Sequence, residues 1–173
     1  YTNAEDTVAE SVKSFDADGY TFGNNWPNAT GTGSDSWVAW NWKAGGAASS
    51  NGDGDITSSV SANTTAGFSI ITYAGTGTDA DTVGHGLGVA PEMIIIKRRD
   101  NGSGSTNWRV WHTGLDDTKT LELNESGASA TQSGVFDTST PPTSTVFRPN
   151  DHVSVNTSGG TYVAYAFASV EGY

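Results

Sequence analysis

The apolar residues of this chain come in short runs, each closed by glycine, asparagine, aspartate, serine or proline, and none repeats at the helical period. Phe68-Ser69-Ile70-Ile71-Thr72-Tyr73 is β-branched and aromatic and ends at Gly75. The segment Pro91-Glu92-Met93-Ile94-Ile95-Ile96-Lys97 is too short for a buried helix and right for a buried strand. Residues 108–112, 120–123, 145–147, 153–155 and 162–167 have the same bounded, partly alternating character and are predicted strands. Composition agrees. Glycine stands at 22, hydrophobic residues at 35% and charged residues at 16%, which excludes a helical bundle built from Ala, Leu, Glu and Lys. The predicted fold is all-β, an antiparallel sandwich or jelly roll.

At 173 residues there is room for one domain and part of another. Residues 15–22 read strand-turn-strand, and 37–43 read as a further strand. Trp37-Val38-Ala39-Trp40-Asn41-Trp42 repeats the aromatic-Val-Ala-aromatic-x-aromatic pattern of Tyr162-Val163-Ala164-Tyr165-Ala166-Phe167, which predicts an internal repeat. Between the copies, 44–66 is rich in Gly, Ser and Asp and poor in anything to bury. The expected organisation is therefore 1–43 as the C-terminal part of a preceding β unit, 44–66 as a linker with at most a short strand near 56–60, and 67–173 as a sandwich module. The chain opens on Tyr1 with neither an initiator Met nor a signal pattern, so it is expected to begin inside a longer protein.

With 19 acidic and 8 basic residues the formal charge is −11, unfavourable for nucleic acid and for anionic lipid alike. Lys97-Arg98-Arg99 is the one dense basic cluster and is expected to mark a strand returning to solvent. Cysteine is absent, which excludes disulfides, thiolate metal sites and a Cys nucleophile.

Three kinds of residue could carry chemistry. Trp40 and Trp42 are predicted to share one strand face, as are Tyr165 and Phe167; such rows fill a sandwich core or, exposed, stack on sugar rings. Trp26, in Asn24-Asn25-Trp26-Pro27-Asn28, has a turn-like polar setting that suits an exposed contact. Trp26, Trp40 and Trp42 are the glycan-binding candidates. Asn51-Gly52-Asp53-Gly54-Asp55 alternates oxygen side chains with glycines and makes Asp53 and Asp55 candidate Ca²⁺ ligands, although the same residues are the chemistry of turns. Asp16-Ala17-Asp18 and Asp79-Ala80-Asp81 are shorter versions. His85 lies in Gly84-His85-Gly86-Leu87-Gly88, where glycines precede a strand rather than a helix; that context excludes a phosphate cradle and predicts a tight turn with the ring bonded to backbone. Nucleophile elbow and His-Glu-x-x-His motifs are absent; a carboxylate pair such as Asp116 or Asp117 with Glu122 or Glu125 would suit a glycosidase, but carboxylates on turns are the expected solvated face. The expectation is a non-enzymatic protein with no cofactor apart from the candidate Ca²⁺.

Gly67-Phe68-Ser69-Ile70-Ile71-Thr72-Tyr73, Val83-Gly84-His85-Gly86-Leu87-Gly88 and Ala90-Pro91-Glu92-Met93-Ile94-Ile95-Ile96-Lys97-Arg98-Arg99 resemble a module that recurs in tail-fibre and other virion proteins of marine bacteriophages, cyanophages among them. Asn107-Trp108-Arg109-Val110-Trp111-His112, Leu121-Glu122-Leu123-Asn124, Pro142-Thr143-Ser144-Thr145-Val146-Phe147 and the segment from Tyr162 to Tyr173 follow in the module's order. Upstream, Ser14-Phe15-Asp16-Ala17-Asp18-Gly19-Tyr20 and Val38-Ala39-Trp40-Asn41-Trp42-Lys43 resemble the end of a lectin-like jelly-roll unit. The module continues past Glu171-Gly172-Tyr173 into glycine-rich repeats, and this chain departs from it there. The resemblance implies a virion structural protein of the tail fibre or tail, exposed on the particle, associating as a homotrimer with itself and with other virion proteins, and contacting host surface polysaccharide. It implies no catalytic residues. A carbohydrate-binding module of a secreted or cell-surface protein, and a capsid decoration protein, are the alternative expectations.

Overall fold

The computed structural model describes residues 12–23, 40–100, 102, 104, 106–116, 118–132, 134–136 and 139–171. The chain forms two compact units, Glu5–Asn41 and Trp42–Tyr173. Within the first, β1 (Val12–Phe15) and β2 (Tyr20–Phe22) pair antiparallel as the strand-turn-strand pattern predicts. Asp16 N–H donates to the Gly19 carbonyl at 2.8 Å and closes the turn.

The second unit is built on one eight-stranded antiparallel sheet. Its strands are β3 (Ser49–Asn51), β4 (Ser58–Asn63), β5 (Phe68–Ala74), β7 (Met93–Arg98), β8 (Arg109–His112), β9 (Lys119–Glu122), β10 (Ala130–Thr131) and β12 (Thr161–Phe167). Their spatial order is β10-β9-β8-β7-β12-β5-β4-β3. The runs predicted at 68–73, 93–97, 108–112, 120–123 and 162–167 all fall on its strands. Among the described residues there is no helix.

Alternation assigns the two faces. Registers Ala164↔Ile71, Ala164↔Ile96 and Ile94↔Trp111 place Tyr73, Tyr162, Ala164, Ala166, Ile71, Ile94, Ile96 and Trp111 on one side, all buried. A thinner second layer closes over them. It comprises β6 (Val83–Gly84) paired with β11 (Val146–Phe147), with Ile56, Leu87, Val135, Phe136 and Val155 from the connecting segments. This unit is thus a sandwich of unequal layers. Each large side chain fully buried there contributes roughly 1.5–3 kcal/mol.

Two expectations need correction. Residues 44–66 are not a linker: β3 and β4 extend the sheet beyond β5, and the unit begins near Trp42 rather than at 67. Serines conceal the strand, because Ser58 on the inner face is buried with its hydroxyl donating to the Gly84 carbonyl at 2.9 Å. A bonded serine can be buried at little cost, so low hydrophobicity did not mean exposure. Residues 153–155 form a turn instead of a strand. The Tyr73 hydroxyl donates to the Val155 carbonyl at 2.7 Å and the Tyr162 hydroxyl to the Val153 carbonyl at 2.9 Å, pinning that turn over the stacked tyrosine rings.

The basic cluster is also different from expectation. Lys97 and Arg98 are buried, not returned to solvent. Lys97 Nζ donates to the Thr106 carbonyl at 2.7 Å, and burial pushes its ammonium pKa down. Arg98 lies over the Tyr162 ring and pairs with Asp100 at 2.5 Å.

Candidate functional site

The sheet's other side carries the aromatic residues that the inner layer does not use. Registers Phe167↔Phe68, Phe167↔Met93, Tyr165↔Ile70 and Tyr165↔Ile95 set these residues in two adjacent rows across β5, β12 and β7. Trp42 sits on the end row, its ring centroid 5.3 Å from Phe167 and 6.0 Å from Phe68, while Phe68 and Phe167 are 5.0 Å apart. In the next row Trp108 stacks on Tyr165 at 6.3 Å and 14°.

Local structure places Trp42. Asn63 Nδ2 donates to the Lys43 carbonyl at 3.0 Å and Ser61 Oγ to the Gly46 carbonyl at 2.7 Å, which lays residues 43–46 across the end of β4. A side chain at Gly45 would meet the Ala62 carbonyl oxygen at 2.0 Å, so only glycine permits this crossing. Trp42 is held there at 54% exposure, half covered by its contacts with Phe167 and with Phe68, which is itself buried. An indole in that state has an apolar face and a donor at its edge, the combination that stacks on a sugar ring.

The other sequence candidates separate. Trp26 lies outside the described residues. Trp40 is 68% exposed and belongs to the first compact unit, whereas Trp42 belongs to the second. Residues 40–43 form no strand, so the shared strand face predicted for these two tryptophans is absent. The proposed repeat finds no structural echo at 40–42, and its residues 37–39 lie outside the described residues. Tyr165 and Phe167 do share a face, the outward one.

Asp53 and Asp55 serve a latch. Asn51 Oδ1 accepts from Asp53 N–H at 3.0 Å and Asn51 Nδ2 donates to Asp53 Oδ2 at 2.8 Å. Asp55 Oδ2 accepts from both Thr82 N–H at 3.1 Å and Thr82 Oγ1 at 2.7 Å, which holds its carboxyl pKa below the ordinary value. With the Ile56↔Val83 bridge, this clips the entry to β4 onto β6. Among the described residues no three His, Cys, Asp or Glu converge as a metal site would require.

His85 is fully buried, its Nε2 3.2 Å from the Thr143 carbonyl and its Nδ1 accepting from Leu87 N–H at 3.2 Å. That is the backbone-bonded turn expected for it, with Gly86 at φ +70° making the bend. Burial pushes the ring's pKa down, so it is neutral at pH 7.

A polar network at Arg109 escaped the sequence reading. Its guanidinium, 3% exposed, donates to Glu122 Oε1 and Gln132 Oε1, and its Nε to Ser154 Oγ at 3.2 Å. Asn107 Nδ2 donates to Glu122 Oε2 at 2.8 Å. Burial raises the Glu122 pKa, but the amide bonds and Arg109 outweigh it and the carboxyl stays below its ordinary value. Asp116 is likewise lowered by its bond and ion pair with Lys119 at 2.5 Å. Both shifts run opposite to the raised pKa of a general acid. Asp117 lies outside the described residues.

One family model matches residues 1–173 and so spans both units. The chain belongs to the family described as Domain of unknown function (DUF7483). No curated protein and no solved structure shows a significant match. The family description assigns no activity, and the site rests on the geometry above.

Proposed function

We propose that this chain is a non-enzymatic structural module of a bacteriophage virion, of the tail fibre or tail, with its outward sheet face directed at host surface glycans. The observation that carries the reading is the cluster of Trp42, Phe68 and Phe167 on the face opposite the closed core, with the indole half open. The ordered segments that resemble marine-phage fibre modules support the virion assignment. A stiff, fully antiparallel sheet suits a load-bearing fibre element, and homotrimeric association with neighbouring virion proteins is part of the reading. The acidic chain would neither bind packaged nucleic acid nor adhere to anionic lipid.

The ring cluster equally favours a second reading, a carbohydrate-binding module of a secreted or cell-surface protein. An antibody against this chain, applied to intact phage particles in electron microscopy, separates the two. Decoration of tail fibres supports the first reading; decoration of the head alone shifts the chain to capsid decoration, and unlabelled particles with labelled secreted protein overturn the virion assignment.

A further inference from the structure

The outward face changes character from end to end. Two-residue steps along β5 read Phe68, Ile70, Thr72 and Ala74, and along β12 Phe167, Tyr165, Val163 and Thr161. Three such steps of ~6.8 Å carry the surface about 20 Å from the ring cluster to a polar end. There a shallow depression of about 390 Å³ opens on the sheet. Ser50, Ser59 and Thr72 lie in one cross-strand row, fixed by Ser50↔Ser59 and Ser59↔Thr72. In the adjoining row Thr161 pairs with Ala74, and Arg99 N–H donates to the Thr161 carbonyl at 2.8 Å. Ala74, the smallest of these side chains, leaves the hollow.

Apart from Arg99 no lining residue is charged, in a chain with 19 acidic positions. Asp100, the nearest carboxylate in sequence, is turned to its own partners, accepting from Arg98, Thr161 N–H and Thr161 Oγ1. Hydroxyls both donate and accept, as sugar hydroxyls do. A guanidinium has five donors in a planar fork, so it can hold a carboxylate or sulfate while keeping another partner.

We infer that this depression is a binding subsite for an acidic sugar unit, one carrying a carboxylate or sulfate, with Arg99 holding the anionic group and the Ser and Thr hydroxyls holding the ring substituents. This deepens the glycan-facing reading above and rests on it. An oligosaccharide extended along the strands would place its acidic unit here and a further unit on Trp42.

The test is a titration of the full chain with neutral, carboxylated and sulfated oligosaccharides, including oligogalacturonate beside its methyl ester, which keeps the skeleton and removes the charge. The expected result is binding of acid-bearing members at least tenfold tighter than of neutral ones. Arg99→Gln abolishes that preference, Thr72→Val weakens acidic and neutral members alike severalfold, and both variants melt as the parent does. If neutral and acidic members bind equally and Arg99→Gln changes nothing, the subsite is refuted while the glycan-facing reading survives. If no member binds, the glycan-facing reading fails and this inference with it. Should Arg99→Gln not fold, equal binding of oligogalacturonate and its methyl ester by the parent chain is by itself sufficient to overturn the proposal.

Discussion

The two faces of the eight-stranded sheet are made by the same strands and behave as different materials. Inward, β5, β7 and β12 present Ile71, Tyr73, Ile94, Ile96 and Tyr162, all closed over by the β6–β11 layer. Outward, the alternate residues of those strands are Phe68, which is buried, and the half-buried Ile70, Tyr165 and Phe167, joined by Trp42 and Trp108. The inner face uses tyrosine hydroxyls to hold the turn at 153–155, whereas the outer face keeps its rings in contact with one another and leaves an indole half open. Aromatic content alone does not tell a core from a platform. The partner layer does.

Substitutions can break that contrast, and the largest effect belongs to Arg109. Removing it strands Glu122 and Gln132 without their buried cation, so Arg109→Ala should cost about 3–5 kcal/mol by urea unfolding. A cost below about 1 kcal/mol would show the network to be solvated. Ile71→Ala on the inner face should cost about 2–5 kcal/mol through lost burial and the cavity left behind. Trp42→Ala on the outer face should cost about 1–3 kcal/mol, the scale of its two ring contacts with Phe68 and Phe167. Equal losses at positions 71 and 42 would refute the division of the sheet into a core face and an open face.

Acid should sharpen the contrast further. His85 and His152 have pKa values lowered first by burial, so the unfolded chain binds protons more readily than the native one. Stability is then complete above the unfolded histidine pKa of about 6.5 and falls as pH drops below it. Glu122, also lowered, adds stability present above about 4.3 that is lost as pH falls through its native pKa. Melting temperature should therefore decline in two stages between pH 7 and pH 3, and His85→Gln should shrink the first. A flat profile from pH 7 to 5 would mean that the ring is not held neutral. The smallest effect is expected from chelation: with Asp53 and Asp55 engaged by Asn51 and Thr82, EDTA should leave the melting curve where it was. A drop on chelation would restore Asp53 and Asp55 as metal ligands.

The central strands were legible because Phe68-Ser69-Ile70-Ile71-Thr72-Tyr73 and Met93-Ile94-Ile95-Ile96 carry their burial in their side chains. β4 was not, because Ser58, Ser61 and Ala62 are hidden by hydrogen bonds and close backbone rather than by apolar volume. Periodicity registers hydrophobicity and has no sight of a satisfied hydroxyl. Arg109 was legible in principle, since alternation puts it on the same side as Trp111, where a buried cation demands a partner. Which partner, Glu122, depended on the β8–β9 register. Trp42 was picked out on a strand geometry that the structure does not have: it packs on Phe68 and Phe167 from a crossing segment, not from a strand shared with Trp40. The depression beside Arg99 needs four strands in register and has no trace in any one segment.

Under the proposed function, the aromatic end of the outer face around Trp42 would make the contact with glycans. Its most direct measurement is retention of the full chain and of Trp42→Ala on an array of surface polysaccharides and oligosaccharides, with the two proteins matched for melting temperature to within a few degrees. Discrete retention of the parent chain and a loss of at least tenfold for Trp42→Ala are expected. Undiminished retention of Trp42→Ala, or no retention of the parent on any glycan, would contradict the proposal.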